Sequence, residues 1–206
     1  VVSLGPGNPD YILPAATKAI AWADVILCGA SPKYIKLQAP DYGFDREELA
    51  GLFTDRTKAI IINTPNNPTG KVFSREELAF IADLCIKHDV LAITDEIYEH
   101  IIYDGAEHVP MWNIPGMSER TIVVNGISKT YSVTGWRIGY AAASKQISKI
   151  MANYLSHSTG APGTMNQYAA IEALSGPQDG TEAMRKVFEV RRNYIVERMA
   201  SVPSCG

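Results

Sequence analysis

Lys129 and Arg137 fall in one short stretch, Ser128-Lys129-Thr130-Tyr131-Ser132-Val133-Thr134-Gly135-Trp136-Arg137-Ile138-Gly139, directly after the apolar run Thr121-Ile122-Val123-Val124-Asn125. A lysine held at a strand end in a partly dry pocket is the kind that serves as a nucleophilic amine. An arginine on the same loop offers a planar, permanently charged fork for phosphate oxygens. Together they point to an aldehyde cofactor that carries a phosphate.

Two further polar clusters suit that cofactor. Asn63-Thr64-Pro65-Asn66-Asn67-Pro68-Thr69-Gly70 is rich in turn formers and presents amide side chains, and Asn67 can donate to a phenolate oxygen. By composition alone it is equally a plain turn. In Thr94-Asp95-Glu96-Ile97-Tyr98-Glu99, Asp95 can pair with a protonated pyridine nitrogen, and Tyr98 can donate to a ring oxygen. Alternatively, Asp95 caps the next turn and Tyr98 is a packed aromatic. A single lysine is ordinarily a solvated charge. An asparagine, an aspartate with a tyrosine three residues on, and a lysine with an arginine eight residues on are hard to obtain by chance at three successive strand ends. The ligand they describe is pyridoxal phosphate.

The elements that must position these residues alternate. Strands are expected at Lys58–Asn63, Val90–Thr94, Thr121–Asn125 and Ile138–Ala143. The first three are nearly continuous apolar runs, as in strands covered on both faces. Ser74 and Glu77 form a capping box ahead of a helix whose face is Leu78, Ile81, Leu84 and Cys85, and Asp45 with Glu48 repeats the device ahead of Leu49, Leu52 and Phe53. Further helices are expected at about 145–156, 164–174 and 181–201. The first carries Ile147, Ile150, Met151, Tyr154 and Leu155 at the spacing of a core-facing stripe. The alternation predicts an α/β domain with a mostly parallel sheet, whose chemistry sits at the carboxyl ends of the strands.

The 206 residues are 46% hydrophobic and 20% charged, which is ordinary for a globular domain. A net charge of −3 with scattered Lys and Arg gives no general attraction to nucleic acid or to an anionic membrane, and neither is expected as a partner. The sequence holds no apolar run of membrane-spanning length and no signal-peptide pattern, so a cytoplasmic location is expected. Cys28, Cys85 and Cys205 are too far apart for a metal knuckle and are expected as reduced thiols. His88, His100, His108 and His157 lack metal-site spacing and are expected as structural or surface residues, so no metal is expected.

Asn-Asn-Pro-Thr-Gly (66–70), Thr-Asp-Glu-Ile-Tyr (94–98) and Ser-Lys-x-x-x-x-Thr-Gly-Trp-Arg-x-Gly (128–139) closely resemble class I/II aminotransferases of PLP fold type I, over residues from about 30 to 206. The stretch Asn166–Ala170 with Ser175–Asp179 is similar to the bacterial aspartate aminotransferase subgroup. The resemblance implies that Lys129 is the Schiff-base lysine, which also moves the proton between substrate Cα and the cofactor. It implies that Asp95 is the pyridinium partner, that Asn67 and Tyr98 are the donors to the ring O3′, and that Ser128 and Arg137 are phosphate ligands. It also implies a homodimer acting on amino acids and 2-oxo acids. Residues 30–158 would be part of the cofactor-binding large domain. Residues 159–206 would be its end and the start of a truncated small α+β domain.

The chain departs from the family pattern in its missing parts. Neither the glycine-rich phosphate loop at a helix N-terminus nor the aromatic residue that stacks on the ring is identifiable, and the C-terminal arginine that in the family grips the substrate carboxylate is missing. A partial chain is expected, also because it opens on the strand-like Val1-Val2-Ser3-Leu4 without methionine. Residues 1–29 fit two origins. As an early aminotransferase strand and loop they place Gly5 near the substrate, with Ala23–Leu27 and Gly29–Leu37 as later strands. Gly5-Pro6-Gly7-Asn8-Pro9 through Ile26 also resembles the opening of tetrapyrrole methyltransferases. The expected function is a PLP-dependent aminotransferase. The alternatives are an inactive or incomplete fragment, another fold type I enzyme such as a C–S lyase, and, more weakly, a methyltransferase.

Overall fold

A computed structural model describes residues 2–5 as backbone, and residues 30–158 and 160–202. Among them, the strands are β1 (Val2–Gly5), β2 (Lys33–Lys36), β3 (Ala59–Asn63), β4 (Leu91–Asp95), β5 (Thr121–Gly126) and β6 (Gly139–Ala142). The helices are α1 (Arg46–Gly51), α2 (Arg75–His88), α3 (Lys145–Ser158), α4 (Thr164–Ser175) and α5 (Asp179–Ala200). One sheet runs in the order β2-β1-β3-β4-β5-β6. Its first five strands pair in parallel, and β6 runs antiparallel to β5. The expected mostly parallel α/β sheet is therefore present, and the expected strand between 138 and 143 is its antiparallel edge. Ala23–Leu27 lies outside the described residues, as does most of the glycine-proline segment.

The expectation of strands covered on both faces is met on one face only: burial alternates along β3 and β4, and Val124 of β5 is 41% exposed. Ile60 and Ile62 of β3 and Ala92 of β4 are fully buried, and Leu78, Ile81 and Cys85 of α2 close over them. Burial of each such large side chain contributes about 1.5–3 kcal/mol. The capping box at α2 forms in both directions: Ser74 Oγ accepts from the Glu77 amide, and Glu77 accepts from the Ser74 amide at 2.7 Å. Glu76 and Glu77 in the first turn, with Lys87 and His88 in the last, complement the helix dipole. At α1 only one half of the expected device is formed, the Asp45 carboxylate accepting from the Glu48 amide at 2.8 Å. The stripe on α3 departs from expectation more sharply. The helix forms, but Ile150 and Tyr154 are 62% and 64% exposed. Periodicity gives a helix one apolar face, and among the described residues no layer covers this one.

Because β1 to β5 are parallel, their carboxyl ends share one edge of the sheet. Asn63 ends β3 level with Asp95, which ends β4 and is level with Val124 of β5. All three polar clusters thus leave the sheet on one side. Gly5 ends β1 on the same side, one residue past Leu4, which is level with Ile62.

Candidate active site

The loop carrying Lys129 closes the antiparallel pair β5–β6, and Gly126 and Gly139 face each other at its base. A Cβ on Gly126 would sit 3.0 Å from the Ile138 carbonyl oxygen and 3.1 Å from Gly139 Cα, so any larger residue at the base of the loop would press on backbone. From there the backbone winds into a turn, with the Tyr131 amide donating to the Ile127 carbonyl and the Val133 amide to the Ser128 carbonyl. Lys129 is half-buried on this turn, and its Nζ lies 5.9 Å from the centre of the Tyr98 ring.

Tyr98 reaches the same spot from the turn after β4. Its hydroxyl accepts from Asn67 Nδ2 at 3.2 Å, so residues 31 apart in sequence meet at one point. Asn67 is held there by Asn63, whose Oδ1 accepts from the Asn67 amide at 2.8 Å and whose Nδ2 donates to the Asp95 carbonyl at 3.2 Å. Asn63 thus ties the amide cluster to the aspartate. Sequence reading included it in the turn cluster without assigning it this work. Asp95 is half-buried, and its Oδ1 accepts from the Ile97 amide at 3.2 Å, so it also shapes the local turn, as the capping alternative anticipates.

Asn67, Tyr98 and Lys129 are brought together, with Asp95 on the adjoining strand end. Ser128 is half-buried beside the lysine. Arg137 is exposed in a left-handed backbone conformation (φ 51°), with Nη1 donating to the Thr134 carbonyl. The structure holds it on the lysine's loop, turned back onto the loop's own backbone. Tyr131 and Tyr140, near that loop, keep their protons above the ordinary phenol range, chiefly through burial; Glu99 adds to the effect at both, while the Gln178 hydrogen bond opposes it at Tyr131.

Beneath the site lies a buried polar layer whose members sequence reading did not assign to it. Glu96 is 2% exposed; Thr94 Oγ1 donates to its Oε1 at 2.9 Å, and His108 Nε2 lies 2.8 Å from its Oε2. Glu99 accepts from Asn125 Nδ2 at 2.6 Å. Glu96, Glu99 and His108 offer ligand atoms within 4.8 Å of one another. Each of the three is already engaged by protein, so the group serves as the polar underside of the site. Its one sequence signal is the acidic pair Asp95-Glu96 where β4 ends.

The donor set fits pyridoxal phosphate. There is a carboxylate at a central strand end for a protonated ring nitrogen, and two neutral donors that already touch each other for the ring oxygen. The amine stands beside them, and a hydroxyl and a guanidinium on its loop suit a phosphate dianion.

Comparison with known proteins agrees. The family model described as aminotransferase class I and II matches residues 22–205. An aspartate aminotransferase of Bacillus sp. (strain YM-2) is 48% identical over 204 residues, covering 98% of this chain and 52% of the relative. That of Geobacillus stearothermophilus is 45% identical over 196 residues, covering 94% and 50%. Among solved structures, an aromatic aminotransferase from Pyrococcus horikoshii OT3 superposes with a TM-score of 0.83 at 38% identity, covering 97% of this chain and 52% of that one. An aspartate aminotransferase from Rhizobium meliloti gives 0.85 at 31%, covering 98% and 48%. The chain spans about half the length of the curated relatives it matches.

Proposed function

We propose, from the premise that this chain belongs to the class I and II aminotransferase family, that it serves a pyridoxal-phosphate-dependent aminotransferase. Its reaction moves an amino group between an α-amino acid and a 2-oxo acid. The observation that carries the proposal is the meeting of Asn67, Tyr98 and Lys129 at the strand edge beside Asp95. Three relatives, at 48%, 45% and 43% identity, are named aspartate aminotransferases, and this supports aspartate as the amino donor.

When bound, the cofactor supplies an aldehyde carbon and a cationic ring that withdraws electrons from the substrate Cα. Asp95 would face the ring nitrogen, where a carboxylate favours the protonated state. Asn67 and Tyr98 would donate to the ring oxygen, and Ser128 and Arg137 would hold the phosphate. Lys129 would anchor the cofactor through Nζ. Once displaced by the substrate amine, the same Nζ would move the proton between substrate Cα and the cofactor. Gly5, at the same edge, would approach the substrate.

The family likeness also supports a homodimer working in the cytoplasm, with residues 30–158 as part of a cofactor-binding domain and 159–206 leading into a second. Among the described residues no helix is long and apolar enough to cross a membrane. The test is borohydride reduction of the cofactor-loaded chain followed by peptide mapping. A phosphopyridoxyl group on Lys129, lost together with the visible band in Lys129→Ala, is expected; an unchanged adduct in that variant refutes the assignment.

A further inference from the structure

Helix α5 touches two loops of the candidate site that leave the sheet from different strands. Near its N-terminus it meets the lysine loop: Tyr131 Oη donates to Gln178 Oε1 at 3.0 Å, Thr181 Oγ1 donates to the Thr130 carbonyl at 3.5 Å, and Ser132 Oγ donates to Met184 Sδ at 2.9 Å. Further along it meets the loop that follows Tyr98. Arg185 Nη1 donates to the Ile102 carbonyl at 3.2 Å, and the Asp104 amide donates to Glu189 Oε1 at 3.2 Å. Arg192 grips the Asp104 carboxylate with both Nη atoms at 2.7 Å while its guanidinium lies 5.1 Å from the centre of the Tyr103 ring.

These contacts share one face. Thr181, Met184, Arg185, Glu189 and Arg192 recur at helical spacing, and they are half-buried while the residues between them are mostly exposed. No residue of α5 is fully buried, so the Arg192–Asp104 forked ion pair and hydrogen bonds, rather than a core, hold this helix. From Thr181 to Arg192 the rigid rise is about 16 Å. The Tyr98 loop needs such a hold: Asp104 and Gly105 both adopt positive φ, at 59° and 71°, and the Ile101 amide turns back onto the Tyr98 carbonyl at 2.8 Å.

We propose that α5 is a polar strut that fixes the lysine loop relative to the Tyr98 loop, with Arg185, Arg192 and Asp104 as positioning residues for Lys129 and Tyr98. The proposal rests on the cofactor roles given above to those two residues. Because one rigid helix holds both loops, a shift of α5 along its axis would carry them together and keep the spacing between amine and phenol.

The test compares the 206-residue chain with Arg185→Ala/Arg192→Ala and with the charge exchange Asp104→Arg/Arg192→Asp. Hydrogen–deuterium exchange without cofactor reads the strut directly. The double alanine variant is expected to exchange about three- to tenfold faster at the Asp104 and Ala106 amides, and also at Tyr131 and Val133 on the far loop. The charge exchange is expected to restore protection at both. If Tyr131 and Val133 stay protected while Asp104 loosens, the strut is refuted. Should the double variant fail to fold, Arg192→Lys, which keeps the charge but not the fork, is expected to give the same pattern at smaller amplitude. With pyridoxal phosphate added, breaking the strut should shift the pH midpoint of the visible band while the far-UV spectrum stays unchanged. A parent chain that shows coupled exchange but takes up no cofactor sinks the cofactor reading alone. A loaded chain whose variants move neither the band nor the far loop sinks the strut alone.

Discussion

Asp95 and Tyr98 stand three residues apart, yet removing their functional groups should cost very different amounts. Asp95→Asn keeps shape and removes the charge, and hydrogen bonds to charged groups are worth about 1.5–3 kcal/mol, so pyridoxal phosphate should bind about ten- to hundredfold more weakly. Tyr98→Phe removes one neutral donor, worth about 0.5–1.5 kcal/mol, and should weaken binding about two- to tenfold. Titrating both variants by cofactor absorbance gives the order; a larger loss in Tyr98→Phe would overturn the pyridinium role of Asp95. Cys85 supplies a control that does not depend on the cofactor. It is fully buried on the inner face of α2, and burial pushes its thiol up to about 12. The thiolate is the reactive form. At pH 8 Cys85 should therefore resist iodoacetamide in the folded chain and react in denaturant, as peptide mapping would show.

Between elements, the tightest constraint is where β5 meets β6. Gly126→Ala would press a methyl group against the Ile138 carbonyl and Gly139 Cα, which are backbone and cannot swing aside. Overpacking of this kind costs about 1–3 kcal/mol, so the urea midpoint should fall, and the lysine loop rooted there should lose its cofactor band in parallel. The clamp on α5 should respond to acid. The Arg192 hydrogen bonds hold the Asp104 carboxyl below the ordinary aspartate range, and the Asp104 amide, then Arg185, do the same for Glu189. Groups with depressed folded values stabilise fully above their unfolded values, and that stabilisation is lost as pH falls through the folded ones. Protection of the Asp104 amide, corrected for intrinsic exchange, should therefore hold above about pH 4 and collapse below it. Flat protection down to pH 2 would show that the carboxylates do not carry the clamp.

At the scale of the whole molecule, legibility in the sequence followed the range of the interaction. Strands β3 to β5 are legible as apolar runs, although only the face of Ile60, Ile62 and Ala92 is fully covered, and the Ser74–Glu77 box is legible because its partners are three residues apart. The site residues are legible because their types and order are demanding. The Asn63 bridge to Asp95, across 32 residues, and the Arg192 fork on Asp104, across 88, are not, because nothing local marks either partner. The α3 stripe shows the converse: Ile150, Tyr154 and Leu155 are legible as an apolar face, but the pattern is silent on what covers it. Met165, Tyr168 and Ile171 on α4 are likewise exposed, so both helices present apolar side chains to water. The homodimer proposed above gives this surface a partner, since a two-fold contact needs one self-complementary patch of about 800 Å² per subunit. At micromolar concentration the chain should then sediment as about twice its 22.5 kDa. Ile150→Glu/Tyr154→Glu should return it to the mass of one chain with an unchanged far-UV spectrum, since neither side chain supports the core. A parent chain of single mass at every concentration would count against the dimer, and an unshifted double variant would place the contact elsewhere than on α3.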